Sequence, residues 1–303
     1  MPELSVLIVS YRCWSRLDDC LKSLGQQQDV DLEVIVVDNH SNDGMAKDFV
    51  KGHPKVIFDL QEINGGFSQG CNKGVSHAHG KWLLFLNPDT VLEPGTLRKL
   101  LDRAEQETDW KLIGIRQVDE KGRDNHAHGV YPTWWNIWPP ARAVGNLLSG
   151  KGTSRDLWSQ GEYSFPEFLS GSFILIRAHD LRELGGWDER FWMYNEDIDL
   201  CYRAHLKGWK VVAYNAIQCT HQHGGSSRIN PKVRAIAKSA NVISLDQYIR
   251  KHFSLPAMIA GKTVLFITRG LELLLMAPFS AVRRNMLVLL TRYAFTGKQV
   301  RGV

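Results

Sequence analysis

Little in this chain could staple or anchor it. Its 303 residues include only five cysteines, Cys13, Cys20, Cys71, Cys201 and Cys219. They are odd in number, sit in apolar contexts and form no C-x-x-C pair, which argues against a disulfide framework or a zinc site and for reduced thiols in a cytosolic compartment. Long apolar runs are missing too. Thr263 to Ala277 is interrupted by Arg269 and Glu272 and followed by Pro278, so nothing approaches the ~18 to 20 clean residues of a spanning helix. Met1-Pro2-Glu3 leads straight into an apolar stretch without the basic and apolar regions of a signal peptide, so secretion is not expected. G-x-G-x-x-G does not occur, and after Gly65 to Gly70 a P-loop would need lysine where Cys71 stands. Kinases, P-loop ATPases and nicotinamide dehydrogenases thereby lose their main support. No internal repeat or low-complexity tract is visible.

What is present is an ordinary globular composition, 44% hydrophobic and 23% charged, long enough for one large or two modest domains. The net charge of +5 is unevenly placed. Residues 232 to 303 hold 12 Lys and Arg against Asp246 and Glu272, a net +10, which leaves −5 for residues 1 to 231. The tail is the basic part.

Leu4 to Val9 and Leu32 to Val37 are short, apolar and rich in β-branched residues, the pattern of parallel strands buried on both faces. Trp14 to Gln27 reads as a helix between them. A third strand ends near Leu60, a helix spans roughly Gln69 to Ala78, Lys81 to Leu86 is a fourth strand, and a helix runs from Pro94 to Glu107. This β-α-β-α-β rhythm is that of a nucleotide-binding half-fold. Residues 117 to 165 are punctuated by Gly and Pro and read as a long loop region. Within it, Trp134, Trp135 and Trp138 could stack on a sugar, rest at a lipid interface or pack the loop onto the body. Phe168 to Ile176 is strand-like, Asp180 to Leu184 and Asp197 to Leu206 are helical, and Lys210 to Tyr214 is a strand.

Near the C-terminus Val282, Met286, Leu289, Leu290 and Tyr293 recur with helical period, with Arg284 and Thr291 opposite. This is the composition of an amphipathic helix lying in a membrane interface, favoured by the concentrated positive charge. A helix packed on the body or on a second subunit would show the same period.

The chemistry concentrates at strand ends, where an open α/β sheet binds its ligands. Asn87-Pro88-Asp89-Thr90 follows the fourth strand, and a carboxylate there can ligate Mg²⁺ or Mn²⁺ and so neutralise a diphosphate leaving group. Val37-Asp38-Asn39 ends the second strand with a carboxylate able to accept from a base N–H, beside the polar turn Ser41 to Gly44. Asn64-Gly65-Gly66-Phe67, followed by Asn72-Lys73-Gly74, supplies a close-approach loop and a helix N-terminus suited to phosphate or ribose. Thr220-His221-Gln222-His223-Gly224-Gly225 closes a strand with two imidazoles. Glu196 and Asp197 open a helix in an apolar neighbourhood of Trp187, Phe191, Trp192, Met193 and Tyr194, which would raise a carboxyl pKa and ready it for proton abstraction. Asp197 is assigned as the base, with Glu196 and Asp188 positioning an acceptor; Asp199 fits the ordinary preference of acids for a first helical turn.

Taken in order, these motifs resemble a family 2 glycosyltransferase of the GT-A fold, in its rhamnosyltransferase-like branch. The matching residues are Val9-Ser10-Tyr11, Val37-Asp38-Asn39, Asn64-x-Gly66-Phe67 with Asn72, Asn87-Pro88-Asp89-Thr90, Leu169-Ser170-Gly171-Ser172, Gly185 to Phe191, Tyr194-x-Glu196-Asp197-x-Asp199-Leu200, and His221 with Gly224-Gly225-Ser226. The resemblance implies an α/β fold, a Rossmann-like mixed sheet that binds nucleotide-diphospho-sugars, with a C-terminal helical extension. Residues 1 to 110 would be the nucleotide-sugar-binding half, 111 to 230 the acceptor-binding and catalytic half, and 231 to 303 a basic amphipathic tail.

Carried over residue by residue, Asp38 would read the pyrimidine base, with Ser10, Tyr11 and Asn39 at the nucleoside and Gly66, Phe67 and Asn72 beside the nucleotide. Asn87 and Asp89 stand at the family's DxD position, Asp89 as metal ligand and His221 as a second, while Gly171, Ser172 and Trp187 face the acceptor. Asn87 replaces the first Asp of DxD and removes one negative charge beside the diphosphate. The implied activity is inverting transfer of a sugar, rhamnose by the branch resemblance, from a dTDP- or UDP-sugar to a lipid-linked saccharide in cell-surface polysaccharide assembly at the inner membrane face. A nucleotidyltransferase, or a non-catalytic nucleotide-sugar or glycan-binding component of a membrane assembly, are the rival readings.

Overall fold

The computed structural model describes residues 1–125, 127–138, 161–222 and 230–299. β1 (Leu4–Ser10) and β2 (Leu32–Asp38) pair in parallel, Leu4 opposite Leu32 and Ser10 opposite Asp38. Because successive side chains of a strand point to opposite faces, Leu4, Val6 and Ile8 enter one apolar cluster and Leu7 another. The first cluster also takes α1 (Trp14–Gly25) and α4 (Thr96–Gln106); the second takes α3 (Phe67–Ser76), α5 (Ala178–Leu184) and α6 (Glu196–Leu206). Burial on both faces explains why these strands are almost wholly apolar rather than alternating. The short helix α2 (Ala46–Gly52) has no buried residue.

The main sheet has nine strands. Its order is β3 (Ile57–Leu60), β2, β1, β4 (Trp82–Leu86), β10 (Phe173–Arg177), β6 (Trp110–Val118), β11 (Lys210–His221) and β5 (Thr90–Leu92), with β8 (Tyr163–Ser164) also paired to β11. β10 runs antiparallel between β4 and β6, so the sheet is mixed and chain from after residue 110 is inserted into its centre.

Three elements differ from the sequence expectation. The stretch Phe168 to Ile176 is two strands rather than one: β9 (Phe168–Leu169) pairs with β7 (His128–Gly129), and Ser170-Gly171-Ser172 turns the chain before β10. The strand starting at Lys210 continues to His221, with a register shift against β6 between Tyr214 and Gln218. β6 itself begins ahead of the region read as loop and ends within it.

The remaining described chain is helical. α7 (Pro231–His252) is capped by Asn230, whose side chain accepts from Val233 N at 2.9 Å, and carries proline in its first turn. α8 (Leu255–Met276) follows, then a 3₁₀ turn over Ala277–Phe279 and α9 (Ala281–Thr296), closed by Gly297 at φ 64°. α7, α8 and α9 share a cluster built on Val242, Ile249, Leu265, Leu273, Met286 and Leu290. The amphipathic stripe expected at a lipid surface therefore faces inward. Met286, Leu290 and Tyr293 are buried, and the Tyr293 hydroxyl donates to buried Asp246 at 2.7 Å. Periodicity reports an apolar face, and here its partner is protein. Asp246 and Glu272 also engage tail cations, Arg250 at 2.7 Å and Arg283 at 2.6 Å.

Candidate active site

One cavity of about 390 Å³ opens beyond the carboxyl ends of β1 and β4. Ser10, Tyr11, Asn39, Gly66, Phe67, Asn87, Asp89, Gly171, Ser172, Glu196, Asp197 and His221 line it together. These are twelve of the positions read from sequence. Asp38, Asn72, Trp187 and Asp188 are not among its walls.

At the end of the cavity bordered by β1 and β2 the strand register sets Ser10 beside Asp38. The Asp38 carboxylate accepts from Ser41 N at 2.9 Å and from the Ser41 hydroxyl, and Ser41 Oγ in turn accepts from Arg12 N at 2.8 Å. Burial raises the Asp38 pKa, against the pull of the two Ser41 hydrogen bonds. Asn39 clamps the neighbouring loop, donating to Gly66 O at 2.9 Å and accepting from Gly65 N at 3.0 Å. Gly66 sits at φ 89°, and a Cβ there would lie 2.1 Å from the Trp192 carbonyl oxygen, so no other residue fits. The first amide of α3, Phe67 N, donates to that same carbonyl at 2.7 Å.

The acidic end is built by β4, β5 and β11. Pairing of His221 with Thr90 brings the imidazole to Asp89, His221 Nε2 lying 3.1 Å from Asp89 Oδ1. Asn87 Nδ2 is 3.5 Å from the same nitrogen, and Arg16 Nη1 is 3.6 Å from Asp89 Oδ2. Burial works to raise the Asp89 pKa, but His221 and Arg16 outweigh it and the carboxyl lies below its usual range. His221 Nδ1 meets Gln117 Oε1 at 2.8 Å, and Gln117 Oε1 also accepts from Ser172 Oγ at 2.9 Å. With Nδ1 engaged by Gln117, Nε2 is the ring nitrogen that faces Asp89, and a partner on the far nitrogen is how metal-binding histidines are oriented.

That donor chemistry fits a hard divalent cation completed by substrate phosphates, since Mg²⁺ sites commonly use one or two protein carboxylates. Among the described residues no group of three or more His, Cys, Asp or Glu converges on one point. His223 lies outside the described residues. Arg16 and Gln117 were missed by sequence reasoning.

At the opposite wall Asp197 Oδ2 accepts from Gly171 N at 2.9 Å and Oδ1 from Ile198 N at 2.8 Å. The turn before α6 holds Tyr194 at φ 70° and Asn195 at φ 62°, two successive left-handed residues without glycine. Burial raises the Asp197 pKa, with these amide hydrogen bonds opposing it. Glu196 is buried, its Oε2 has no hydrogen-bond partner, and burial first and the Asp197 charge second push its pKa well up. Both causes favour its protonated form.

Two expected positions turn elsewhere. Trp187 is 2% exposed and packs edge-on against Phe67 and Phe85, with its backbone N donating to Asn72 Oδ1 at 3.0 Å. It is core rather than acceptor wall, and Asn72 ties α3 to it rather than facing a nucleotide. The Asp188 carboxylate is bound by Arg190 at 2.6 Å and Lys251 at 2.7 Å, which hold its pKa below the usual range despite burial. Asp199, fully buried, takes Lys251 at 2.5 Å, His252 at 2.7 Å and Arg203 at 2.8 Å.

The family model described as Glycosyl transferase family group 2 matches residues 82–295, and that of Glycosyl transferase family 2 matches residues 5–155. The chain belongs to glycosyltransferase family 2. This glycosyltransferase is 26% identical over 266 residues to the N-acetylglucosaminyl-diphospho-decaprenol L-rhamnosyltransferase of Mycobacterium tuberculosis, spanning 81% of this chain and 85% of that one. It is 25% identical to rhamnosyltransferase WbbL of Escherichia coli over 73% of this chain and 85% of that one. The mannosyltransferase PcManGT of Pyrobaculum calidifontis, solved with GDP-Man and Mn²⁺, superposes with a TM-score of 0.54 at 15% identity, covering 98% of this chain and 81% of that one. The fold is GT-A, and the protein is an enzyme of the glycosyltransferase class. The nucleotidyltransferase and the non-catalytic component are set aside by the family.

Proposed function

We propose that this glycosyltransferase moves a sugar, rhamnose, from a dTDP- or UDP-sugar to a lipid-linked saccharide, with inversion, in cell-surface polysaccharide assembly. The observation carrying this reading is that Asp197, with a raised pKa and both oxygens held by backbone amides, shares one cavity with the Asp89–His221 pair. In the proposed step Asp197 takes the proton of an acceptor hydroxyl, whose oxygen attacks the anomeric carbon in line while the bond to the diphosphate breaks on the far side. Asp89 and His221 would hold Mg²⁺ or Mn²⁺, which when bound stabilises the charge on the departing diphosphate. Ser10, Tyr11, Asn39, Gly66 and Phe67 shape the donor end, and Asn87 faces the metal ligands with an amide in place of a second charge.

Glu196, neutral at the acceptor end, orients the hydroxyl by donating a hydrogen bond. Gly171 and Ser172 complete that wall. Rhamnose and the lipid-linked acceptor are supported by what the mycobacterial relative's name states of that protein. The enzyme works at the inner face of the cell membrane, attached peripherally through its basic C-terminal region; no helix among the described residues is long and apolar enough to cross a membrane. Nucleoside diphosphate release from a panel of sugar nucleotides, with and without Mn²⁺ and a polyprenyl-diphosphate saccharide, tests the reading. Acceptor-dependent release from the dTDP-rhamnose arm is expected, and no acceptor-dependent release from any donor would overturn it.

A further inference from the structure

The buried stripe of α9 leaves open which surface of the C-terminal region meets the membrane. Another face answers that description. Ten of the 22 large hydrophobic residues exposed among the described residues fall between Leu255 and Phe295. On α8, Ile267, Leu271, Leu274 and Leu275 follow at i, i+4, i+7 and i+8, one helical face, at 56%, 57%, 65% and 70% exposure. Phe279 in the following turn is 85% exposed, and Phe295 on α9 is 88% exposed. A monomeric soluble protein does not ordinarily leave so continuous an apolar face in water.

A second, independent stretch of chain joins it. Ile137 packs into the α7–α8–α9 cluster, reaching Gly261 of α8 so closely that a Cβ there would stand 3.5 Å from its Cδ1. Trp134, Trp135 and Trp138 on either side of Ile137 are 51%, 42% and 45% exposed. The indole ring, apolar in body with one N–H, is the side chain enriched at the boundary between hydrocarbon and water. Exposed Arg284, Arg292 and Lys298 add positive charge to the same region, whose sequence carries a net +10 from 12 cations against two acids. An apolar helix face, a cluster of tryptophans and basic flanks complement an anionic bilayer surface.

We propose that the exposed face of α8 around Ile267, Leu271 and Leu274, together with Trp134, Trp135 and Trp138, is the membrane-docking surface of this protein, seating it in the interface of an anionic bilayer. This rests on the proposed lipid-linked acceptor, and it gives that acceptor a route. α7 lines the catalytic cavity with Val233, Ile236 and Ala237 and packs its other residues against α8 and α9. α7 thus borders the catalytic cavity on one side and, on another, the helix that carries the docking face, so a saccharide head can reach the cavity from a lipid held at that surface.

Co-sedimentation of the full chain with phosphatidylcholine vesicles, with and without phosphatidylglycerol, tests this against two sets of substitutions. Ile267→Ser/Leu271→Ser/Leu274→Ser and Trp134→Ser/Trp135→Ser should each reduce partitioning by at least about tenfold on anionic vesicles. Arg284→Gln/Arg292→Gln should reduce it by about 25-fold at low salt and far less at high salt, since each cation near an anionic surface contributes about fivefold. Nucleoside diphosphate binding, followed by titration in solution, should be unchanged in every variant. A protein that sediments as expected but releases no nucleoside diphosphate from any donor would sink the reading of the reaction and leave the surface standing. The docking surface is overturned if the parent stays in the supernatant with anionic vesicles, if the triple serine variant pellets like the parent, or if these substitutions instead abolish self-association of a chain that ignores lipid.

Discussion

Lys251 Nζ lies 2.5 Å from Asp199 Oδ1, so the last turn of α7 grips the helix that carries the assigned base from two residues past it. His252 adds a contact of 2.7 Å to the same oxygen. The tail is thereby part of the catalytic body, and a truncation near Asn230 would strip a buried carboxylate of two of its partners. Lys251→Met should lower stability by up to about 3 kcal/mol, because removing one partner leaves buried charge uncompensated. Lys251→Arg should recover much of the loss. Urea unfolding of the three proteins is the check, and equal midpoints would show that the pair holds nothing in place.

The same carboxylate sets an acid limit. Burial alone would raise the Asp199 pKa, yet His252, Arg203 and Lys251 together bring it below the ordinary value. A depressed carboxyl stabilises the fold above the unfolded pKa of about 3.9, and that stability drains away as pH falls through the folded value. Melting temperature should therefore drop steeply below pH about 4 in the parent and less steeply in Asp199→Asn, which starts lower.

Glu196 works with the opposite sign. Its folded pKa is pushed well above the unfolded one, so the unfolded chain releases the proton first and stability declines as pH rises above about 4.3. Glu196→Gln copies the neutral acid. Between pH 5 and 9 its melting temperature should fall less than that of the parent, and parallel curves would mean that Glu196 is ionised in the fold.

On activity, Asp197→Asn should cut turnover by about 10² to 10⁴ with donor affinity nearly unchanged. Glu196→Gln should act mainly on KM for the acceptor. The acid limb of kcat/KM in the parent should lie above an ordinary aspartate's pKa, since burial raises the Asp197 pKa. Steady-state kinetics across pH decide this. A dead Glu196→Gln beside an active Asp197→Asn would move the base one residue upstream.

Asp89→Ala should abolish the Mn²⁺ dependence of nucleoside diphosphate binding. Asp38→Ala should weaken binding with and without the metal, in this chain by releasing Ser41 and the Arg12 amide that Ser41 holds. Calorimetric titrations separate the two effects, and an unaltered metal dependence in Asp89→Ala would remove it from the ligand set.

Much of the cavity was legible because its chemistry is local: a strand end followed by Asn-Pro-Asp, or a helix opening on Glu-Asp, can be read within a few residues. What failed was the direction of side chains next to such motifs. Trp187 and Asp188 stand close to the acidic motif in sequence, but one fills the core between α3 and β4 and the other is spent on Arg190 and Lys251. Gln117 and Arg16 act only through pairings made in three dimensions, His221 being 104 residues from Gln117, and a lone glutamine or arginine carries no local mark. The stripe on α9 was correctly periodic, but an apolar face does not announce whether lipid or protein will cover it.

The left-handed pair Tyr194–Asn195 bears on when the enzyme becomes active. Each such residue costs about 1 to 3 kcal/mol and persists only where its surroundings impose it. Here those surroundings come late in synthesis: Ser244 Oγ donates to Met193 O at 2.9 Å, and Asn195 Nδ2 donates to Asn241 O at 3.4 Å. A ribosome that has completed the sheet at His221 has still not produced α7, so the turn before Asp197 lacks these two hydrogen bonds until Asn241 and Ser244 emerge. Under the proposed mechanism, catalytic competence is thus tied to the final third of translation, and a prematurely terminated product would carry Asp89 and His221 on the sheet while lacking the α7 contacts to the turn before Asp197.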